Sequence, residues 1–302
     1  MKKVTNALLM LLPSSKLKQD VQISYNQLEN LKPISIKEIS LTSFMKHKIL
    51  EIRKHNNNIT IQRDNKKLSV IIPYRNRAAH LKNFLPALQN RLKFQEIDYE
   101  IIIAEQDDTL PFNRAKLMNI GTLNARQDSS YYIYHDVDAM PTNIDYRYCN
   151  QTLKLFNYIK RKTVFEEYPE TVFGGVTLVP KQIFFNINGF SNKYWQWGKE
   201  DDDFLFRHLL KGYVPFFDTQ GKLDMLPHPR ALSLDTHGNV ANNNKILKMN
   251  QKYSQKNKKT FSKFKRGVLN QDLDGVNSLN NYTITSIETL DKIKTIKIKF
   301  NL

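Results

Sequence analysis

Two aspartates separated by one residue, Asp136-Val137-Asp138, follow the apolar run Tyr131-Tyr132-Ile133-Tyr134. A strand continued through them would send both carboxylates to one side, where hard oxygen donors suit Mn²⁺ or Mg²⁺. A solvated turn at a strand end is the alternative. A second acidic group, Glu200-Asp201-Asp202-Asp203, comes directly after Trp195-Gln196-Trp197-Gly198-Lys199. Four successive carboxylates repel one another, so they need a helix N-terminus or a cationic ligand. The chain's two tryptophans beside them suit a sugar, whose C–H faces pack on the rings while its hydroxyls donate to the acids. Phe112-Asn113-Arg114-Ala115-Lys116 opens a helical stretch with two cations, and Pro73-Tyr74-Arg75-Asn76-Arg77 carries two more after an apolar run. Each alone is ordinary surface; together they suit the phosphates of a nucleoside diphosphate. Met225 and His228 stand three residues apart. By chemistry alone they are a core methionine and an incidental histidine.

The elements that must position these groups alternate. Leu68-Ser69-Val70-Ile71-Ile72-Pro73 and Tyr99-Glu100-Ile101-Ile102-Ile103-Ala104 read as buried strands, as does Tyr131 to Tyr134. Between them, residues 78–92 and 113–125 carry apolar positions at helical spacing. Strand, helix, strand, helix, strand predicts an α/β parallel sheet covered by helices, with ligands at the carboxyl ends of the strands. Further on, Phe173-Gly174-Gly175-Val176-Thr177-Leu178-Val179 reads as another strand and Asp202 to Leu210 as a helix. The stretch from Asn239 to Arg266 reads as a mobile loop or weak helix. The tail alternates at Tyr282 to Thr285 and Ile293 to Lys299, which predicts a hairpin on the sheet edge with lysines on its wet face.

Six ordered stretches of this sequence resemble the β-1,4-galactosyltransferase family, glycosyltransferase family 7. They are Ile71 to Arg77, Phe112 to Leu117, Asp136 to Asp138, Phe173 to Val176, Trp195 to Asp203 and Asp274-Gly275-Val276-Asn277-Ser278-Leu279. The resemblance runs from about residue 68 to the C-terminus. It implies a GT-A (Rossmann-like) fold, a central mixed sheet flanked by helices, and an inverting enzyme. That enzyme would use Mn²⁺ to move Gal or GalNAc from a UDP-sugar to the 4-hydroxyl of a sugar in a cell-surface glycan. The expected division is a basic extension over 1–66 and a catalytic domain over 67–302, with its donor and metal half at about 67–180 and its acceptor half at about 181–302.

Position by position, the resemblance places Asp138, Met225 and His228 on the metal, which replaces the plainer reading of the last two. It places Pro73, Tyr74, Arg75, Arg77, Phe112, Arg114, Asp136, Val172, Gly175 and Trp197 around the donor. Trp197, Lys199, Glu200 and Asp202 fall on the acceptor, which is expected to be a glycan or lipid-linked saccharide, and Asp201 is the catalytic base. Val172 stands where galactose-transferring members have Tyr, and a small aliphatic residue there leaves room for an N-acetyl group, so Gal and GalNAc both remain. Lys199 replaces a family Gly, and its charge is expected to favour an acidic acceptor. Cys149 matches half of a family disulfide whose partner position is Tyr131, which suggests a bacterial-type member in a reducing compartment.

Net charge is +17 over 302 residues, but it is uneven: residues 1–66 hold 12 basic and 5 acidic side chains, residues 241–302 hold 13 and 4, and the middle has 21 against 20. A basic nucleic-acid-binding protein is therefore the competing reading, together with an inactive glycan-binding relative. No nucleic-acid motif is present, and the neutral middle holds the site residues, so nucleic acid is not an expected partner. The run Ala7 to Leu12 is far shorter than the roughly 18–20 apolar residues of a membrane span. The expectation is a cytoplasmic protein whose basic flanks touch anionic membrane or an anionic glycan.

Overall fold

The computed structural model describes residues 21–25, 36–38, 59–161, 164–167, 173–226 and 243–301. Val172, His228 and the expected loop at 239–242 lie outside the described residues. In chain order the elements are β1 (Val21–Tyr25), β2 (Ile36–Glu38), β3 (Ile59–Asp64), β4 (Leu68–Tyr74), α1 (Ala78–Phe94), β5 (Tyr99–Gln106), α2 (Arg114–Leu123) and β6 (Tyr131–His135). Then come β7 (Ala139–Asn143), β8 (Tyr148–Cys149), β9 (Leu153–Lys154), β10 (Tyr158–Arg161), β11 (Val164–Glu167), β12 (Val176–Pro180) and α3 (Lys181–Asn186). The last are α4 (Glu200–Leu210), β13 (Phe216–Asp218), β14 (Lys222–Met225), α5 (Asn243–Lys265), β15 (Tyr282–Leu290) and β16 (Ile293–Phe300).

Among the described residues, nine strands form one sheet in the order β15-β16-β5-β4-β6-β12-β9-β13-β2. Strands β16, β5, β4 and β6 run parallel, and β12 adds antiparallel to β6, so the sheet is mixed. Strict alternation splits the buried strands between two cores. Ile71, Ile102 and Ala104 face a core shared with α2, α3, α4 and α5, while Val70, Ile72, Ile101 and Ile103 face α1. Gly121 lets α2 lie close to β4, since a Cβ there would stand 2.6 Å from Ile71 Cγ2. The expected C-terminal hairpin is present as β15 and β16, on the edge beside β5.

Two expectations change and one open choice is resolved. The Asp136-Val137-Asp138 triplet is a turn between β6 and β7, closed by Ala139 N–H donating to Asp136 O at 3.2 Å. The strand alternation that would have paired its carboxylates is therefore broken before it reaches them. Of the two readings of the Lys-rich stretch, loop or weak helix, residues 243–265 take the helical one, over 23 residues, and Phe261 and Phe264 pack it on Phe206 of α4. Finally, the boundary at residue 66 divides strands that share sheets. β3 pairs with β8, β2 pairs with β13, and Arg63 is fully buried against Asp145 at 2.9 Å.

Candidate functional site

Arg114 is the centre of the site. Its helix begins there because Asn113 caps it: the Asn113 side chain accepts from Lys116 N at 2.9 Å, and its own N–H donates to Gln106 Oε1 at 3.0 Å. The cap aims Arg114 across the ends of β6 and α4. Its Nε donates to Asp136 Oδ1 at 2.8 Å and its Nη1 to Asp201 Oδ1 at 2.9 Å. The guanidinium is nearly buried while both carboxylates remain about 30% exposed (31% and 29%), so one cation orients two acids that still face solvent. Arg114, expected beside the donor's phosphates, here bridges Asp136 and Asp201. Partial burial, with Asp138 and Asp201 close by, pushes the Asp136 carboxyl above its ordinary range against the opposing pull of Arg114.

The four acids of α4 separate because a helix turns about 100° per residue. Glu200 is buried and accepts from Gly198 N at 3.1 Å, and burial together with the Asp201 charge raises its pKa. Asp201 meets Arg114. Asp202 pairs with Lys199 at 3.1 Å. Asp203 is inward, bound by Arg207 at 2.5 Å and by the Tyr194 hydroxyl at 2.7 Å. Thus Asp201 and Asp202 point to the open side, and Asp203 holds the helix to the core. The Lys199 charge, expected to recruit an acidic acceptor, is already answered by Asp202. Lys199 also has φ +76°, a conformation that favours glycine and costs about 1 kcal/mol in a lysine.

A feature that motif reading missed lies behind Asp201. A Cβ built on Gly174 would stand 2.6 Å from Asp201 Cγ, and closer to Oδ2. Gly174 is therefore the surface on which the carboxylate rests. The only signal in the sequence was the glycine pair ahead of β12; Gly175 uses its freedom differently, with φ +100°.

The proposed donor residues cluster at the ends of β4 and β5. Pro73 and Tyr74 are the last residues of β4 and are buried, and the Tyr74 hydroxyl accepts from Arg77 N at 3.2 Å. Arg75 donates to Leu110 O at 2.6 Å and lies 5.1 Å above the Phe112 ring. Its burial lowers its pKa. Phe112 O accepts from Gln196 N at 2.6 Å, which ties this corner to the tryptophan segment, where Trp197 is 75% exposed. The Asp274 to Leu279 motif supports that segment from below: Asp274 accepts from Ser191 Oγ at 2.5 Å and from Asn192 N at 3.0 Å.

Of the expected metal residues, Asp138 and Met225 are brought together. Met225 pairs with Ala139 across β14 and β7, and Leu226 N donates to Asp138 O at 2.8 Å. The Met225 side chain is half-buried at the rim rather than sealed in the core. Among the described residues, no group of three or more His, Cys, Asp or Glu side chains is arranged to hold a metal. No helix among them is long and apolar enough to cross a membrane. His135, directly before the turn, is buried between the Tyr146 hydroxyl at 2.9 Å and Asp136 O at 3.0 Å, and burial lowers its pKa to about 4. Cys149 is free and buried.

Comparison with known proteins bears on the family and the fold. A model for the N-terminal region of glycosyl transferase group 7 matches residues 21–150, and one for the N-terminal domain of galactosyltransferase matches residues 158–229. β-1,4-Galactosyltransferase 4 of Cricetulus griseus is 40% identical over 170 residues, 54% of this chain and 49% of that protein. Human β-1,4-galactosyltransferase 1 is 40% identical over 149 residues, 48% and 37% of the two chains. The chain spans about half the length, or less, of these relatives. The catalytic domain of Drosophila β-1,4-galactosyltransferase 7 in complex with xylobiose superposes with a TM-score of 0.57 at 26% identity, covering 78% of this chain and 95% of that one. A mutant of the same enzyme with manganese, UDP-Gal and xylobiose gives the same TM-score at 24% identity, over the same shares of the two chains. The two family models, the shared mixed-sheet fold and the ordered motifs agree: the chain belongs to glycosyltransferase family 7, the β-1,4-galactosyltransferase family.

Proposed function

We propose that the protein is an inverting glycosyltransferase that moves galactose or N-acetylgalactosamine from a UDP-sugar to the 4-hydroxyl of an acceptor sugar in a glycan. The observation that carries this reading is the Arg114 bridge, which aims Asp201 at the open side from the first turn of α4. Asp201 takes the proton of the acceptor hydroxyl as that oxygen attacks the anomeric carbon. Attack comes from the face opposite the leaving diphosphate, so the configuration inverts. Asp202 and Trp197 hold the acceptor sugar, by hydrogen bonds and by ring contact respectively. Arg75 and Phe112 form the wall against which the nucleotide lies. Closure of the exposed Trp197 over the donor excludes the water that would hydrolyse it.

Asp138 and Met225, together with His228, would hold a manganese ion, which supplies Lewis-acid stabilisation of the departing UDP. The backbone register that sets Met225 opposite Ala139, the residue after Asp138, is consistent with that assignment. The Drosophila enzyme crystallised with manganese and UDP-Gal supports both the metal and the donor class. The reading is tested by UDP release from UDP-Gal and UDP-GalNAc, with Mn²⁺ and a panel of acceptor sugars. Transfer with linkage analysis giving a β-1,4 bond supports it; no UDP release with either donor contradicts it.

A further inference from the structure

A pocket of about 500 Å³ opens beside the tryptophan segment, and Lys116, Asn192, Lys193, Trp195, Lys256 and Asp274 are among its lining residues. None of Arg75, Asp136, Asp138 or Met225 lines it. Its charge is one-sided. Asp274 is largely committed inward, accepting from Ser191 and Asn192 and standing 3.6 Å from Arg207, and it answers Lys193 only at 3.7 Å, so three lysines stand against one shared carboxylate in the lining. Lys116 is held there by its bond to Asn281 O at 3.1 Å and by the Phe300 ring at 4.8 Å.

The outer wall extends this bias. Helix α5 carries eight lysines and no acid along 23 residues. Asn257, Phe261 and Phe264 are its buried side, and Lys252, Lys256, Lys259 and Lys263 form the exposed stripe next to it. The helix is also tied to the reaction site, since Asn257 Nδ2 donates to Trp195 O at 3.0 Å and to Trp197 O at 3.4 Å. The pocket and the site share one short segment, with Asn192, Lys193 and Trp195 on the pocket and Trp197, Asp201 and Asp202 on the site. Trp195 adds an aromatic surface of the kind on which a sugar ring packs.

We propose that this pocket is an acceptor subsite for a uronic acid. The sugar that reacts stands at Asp201 and Asp202, and an acidic sugar further along the same saccharide seats its carboxylate among Lys116, Lys193 and Lys256. This rests on the transferase reading and names the acceptor class. It also moves the preference for acid from Lys199, matched one to one by Asp202, to three lysines that share the single carboxylate of Asp274.

The test uses the whole chain with UDP and Mn²⁺. The probes are an oligosaccharide alternating N-acetylglucosamine and glucuronic acid, ending in N-acetylglucosamine, and the same compound with its carboxyls reduced to alcohols. Binding is read by calorimetry, so it does not depend on turnover. The acidic form is expected to bind about tenfold tighter than the reduced form, the scale of two or three partly exposed charge contacts. The Lys193→Gln/Lys256→Gln variant, with both changes on exposed side chains, is expected to erase that difference. Equal affinity for the two forms, or a preference that survives the double variant, overturns the subsite. So does loss of phosphatidylglycerol vesicle binding in the variant with saccharide affinity intact, which would make the lysines a membrane contact. Lysine-dependent binding of the acid without transfer to it supports the subsite and counts against the transferase reading instead.

Discussion

Replacing Gly174 by alanine is the sharpest single perturbation the geometry offers, because it adds one methyl group and leaves every charged residue of the site in the sequence. The new Cβ would stand 2.6 Å from Asp201 Cγ, whereas carbon atoms make ordinary contact at about 3.5 Å or more. The carboxylate must therefore retreat by about 1 Å. Asp201 Oδ1 now lies 2.9 Å from Arg114 Nη1, and a shift of that size takes the pair to about 4 Å, beyond hydrogen-bonding range. A misplacement of about 1 Å in a catalytic group costs about 10²-fold in rate, so kcat is expected to fall by roughly that factor. The lost ion pair is partly solvated and is worth only about 1 kcal/mol to the fold. Initial rates at saturating donor and acceptor measure the first effect, and a thermal melt measures the second. A variant with kcat within threefold of the parent would refute the claim that Gly174 sets the position of Asp201.

Arg114→Lys keeps the charge but cannot fork to two carboxylates, so kcat is expected to fall about tenfold or more, with larger loss in Arg114→Met; turnover assays beside circular dichroism separate this from unfolding. Gly121→Ala places a methyl group against Ile71 under α2 and is expected to cost about 1–3 kcal/mol of stability, lowering the melting temperature by several degrees with kcat unchanged. His208 is fully buried between Phe204 O at 2.8 Å and Thr152 Oγ1 at 2.9 Å, and burial lowers its pKa from 6.5 to about 4. Its neutral form is the folded form, so the unfolded chain takes up a proton first as pH falls from 6.5 toward 4, and stability drops over that window by up to about 3 kcal/mol. Denaturant titrations of the parent and His208→Gln across that range should show a stability difference that shrinks or reverses in acid; a difference independent of pH contradicts the assignment.

The pattern that specified the sheet was local. Buried runs at 68–73, 99–104 and 131–134, separated by helical spacing, correspond to β4, β5 and β6 with α1 and α2 between them. The C-terminal alternation likewise announced its hairpin. Strands of two or three residues such as β8, β9 and β13 carry too little periodicity to be read, since their pairing is decided by partners far along the chain. Helix α5 was obscured for a different reason: its lysines and asparagines dominate the composition, while the two phenylalanines that dock it on α4 are only a small part of it.

At the site, residue types were legible and partnerships were not. Asp201, Asp136 and Arg114 each stood out as chemistry, but the bridge joins residues 22 and 87 positions apart. No spacing rule reaches that far. Four adjacent acids in α4 looked equivalent in sequence, and only the helical turn, with Arg207 and Tyr194 on its inner side, assigns Asp203 to structure. Lys199 was read by its charge, yet its backbone conformation and its pairing with Asp202 describe it better.

The central claim is that Asp201 is the base in transfer from a UDP-sugar. The measurement that tests it most directly is the steady-state transfer rate of Asp201→Asn beside the affinity of the same variant for UDP in the presence of Mn²⁺. The account predicts a fall in kcat of about 10²-fold or more, the scale of general-base catalysis, with UDP affinity unchanged. Turnover within a few-fold of the parent, with the donor bound normally, would contradict it.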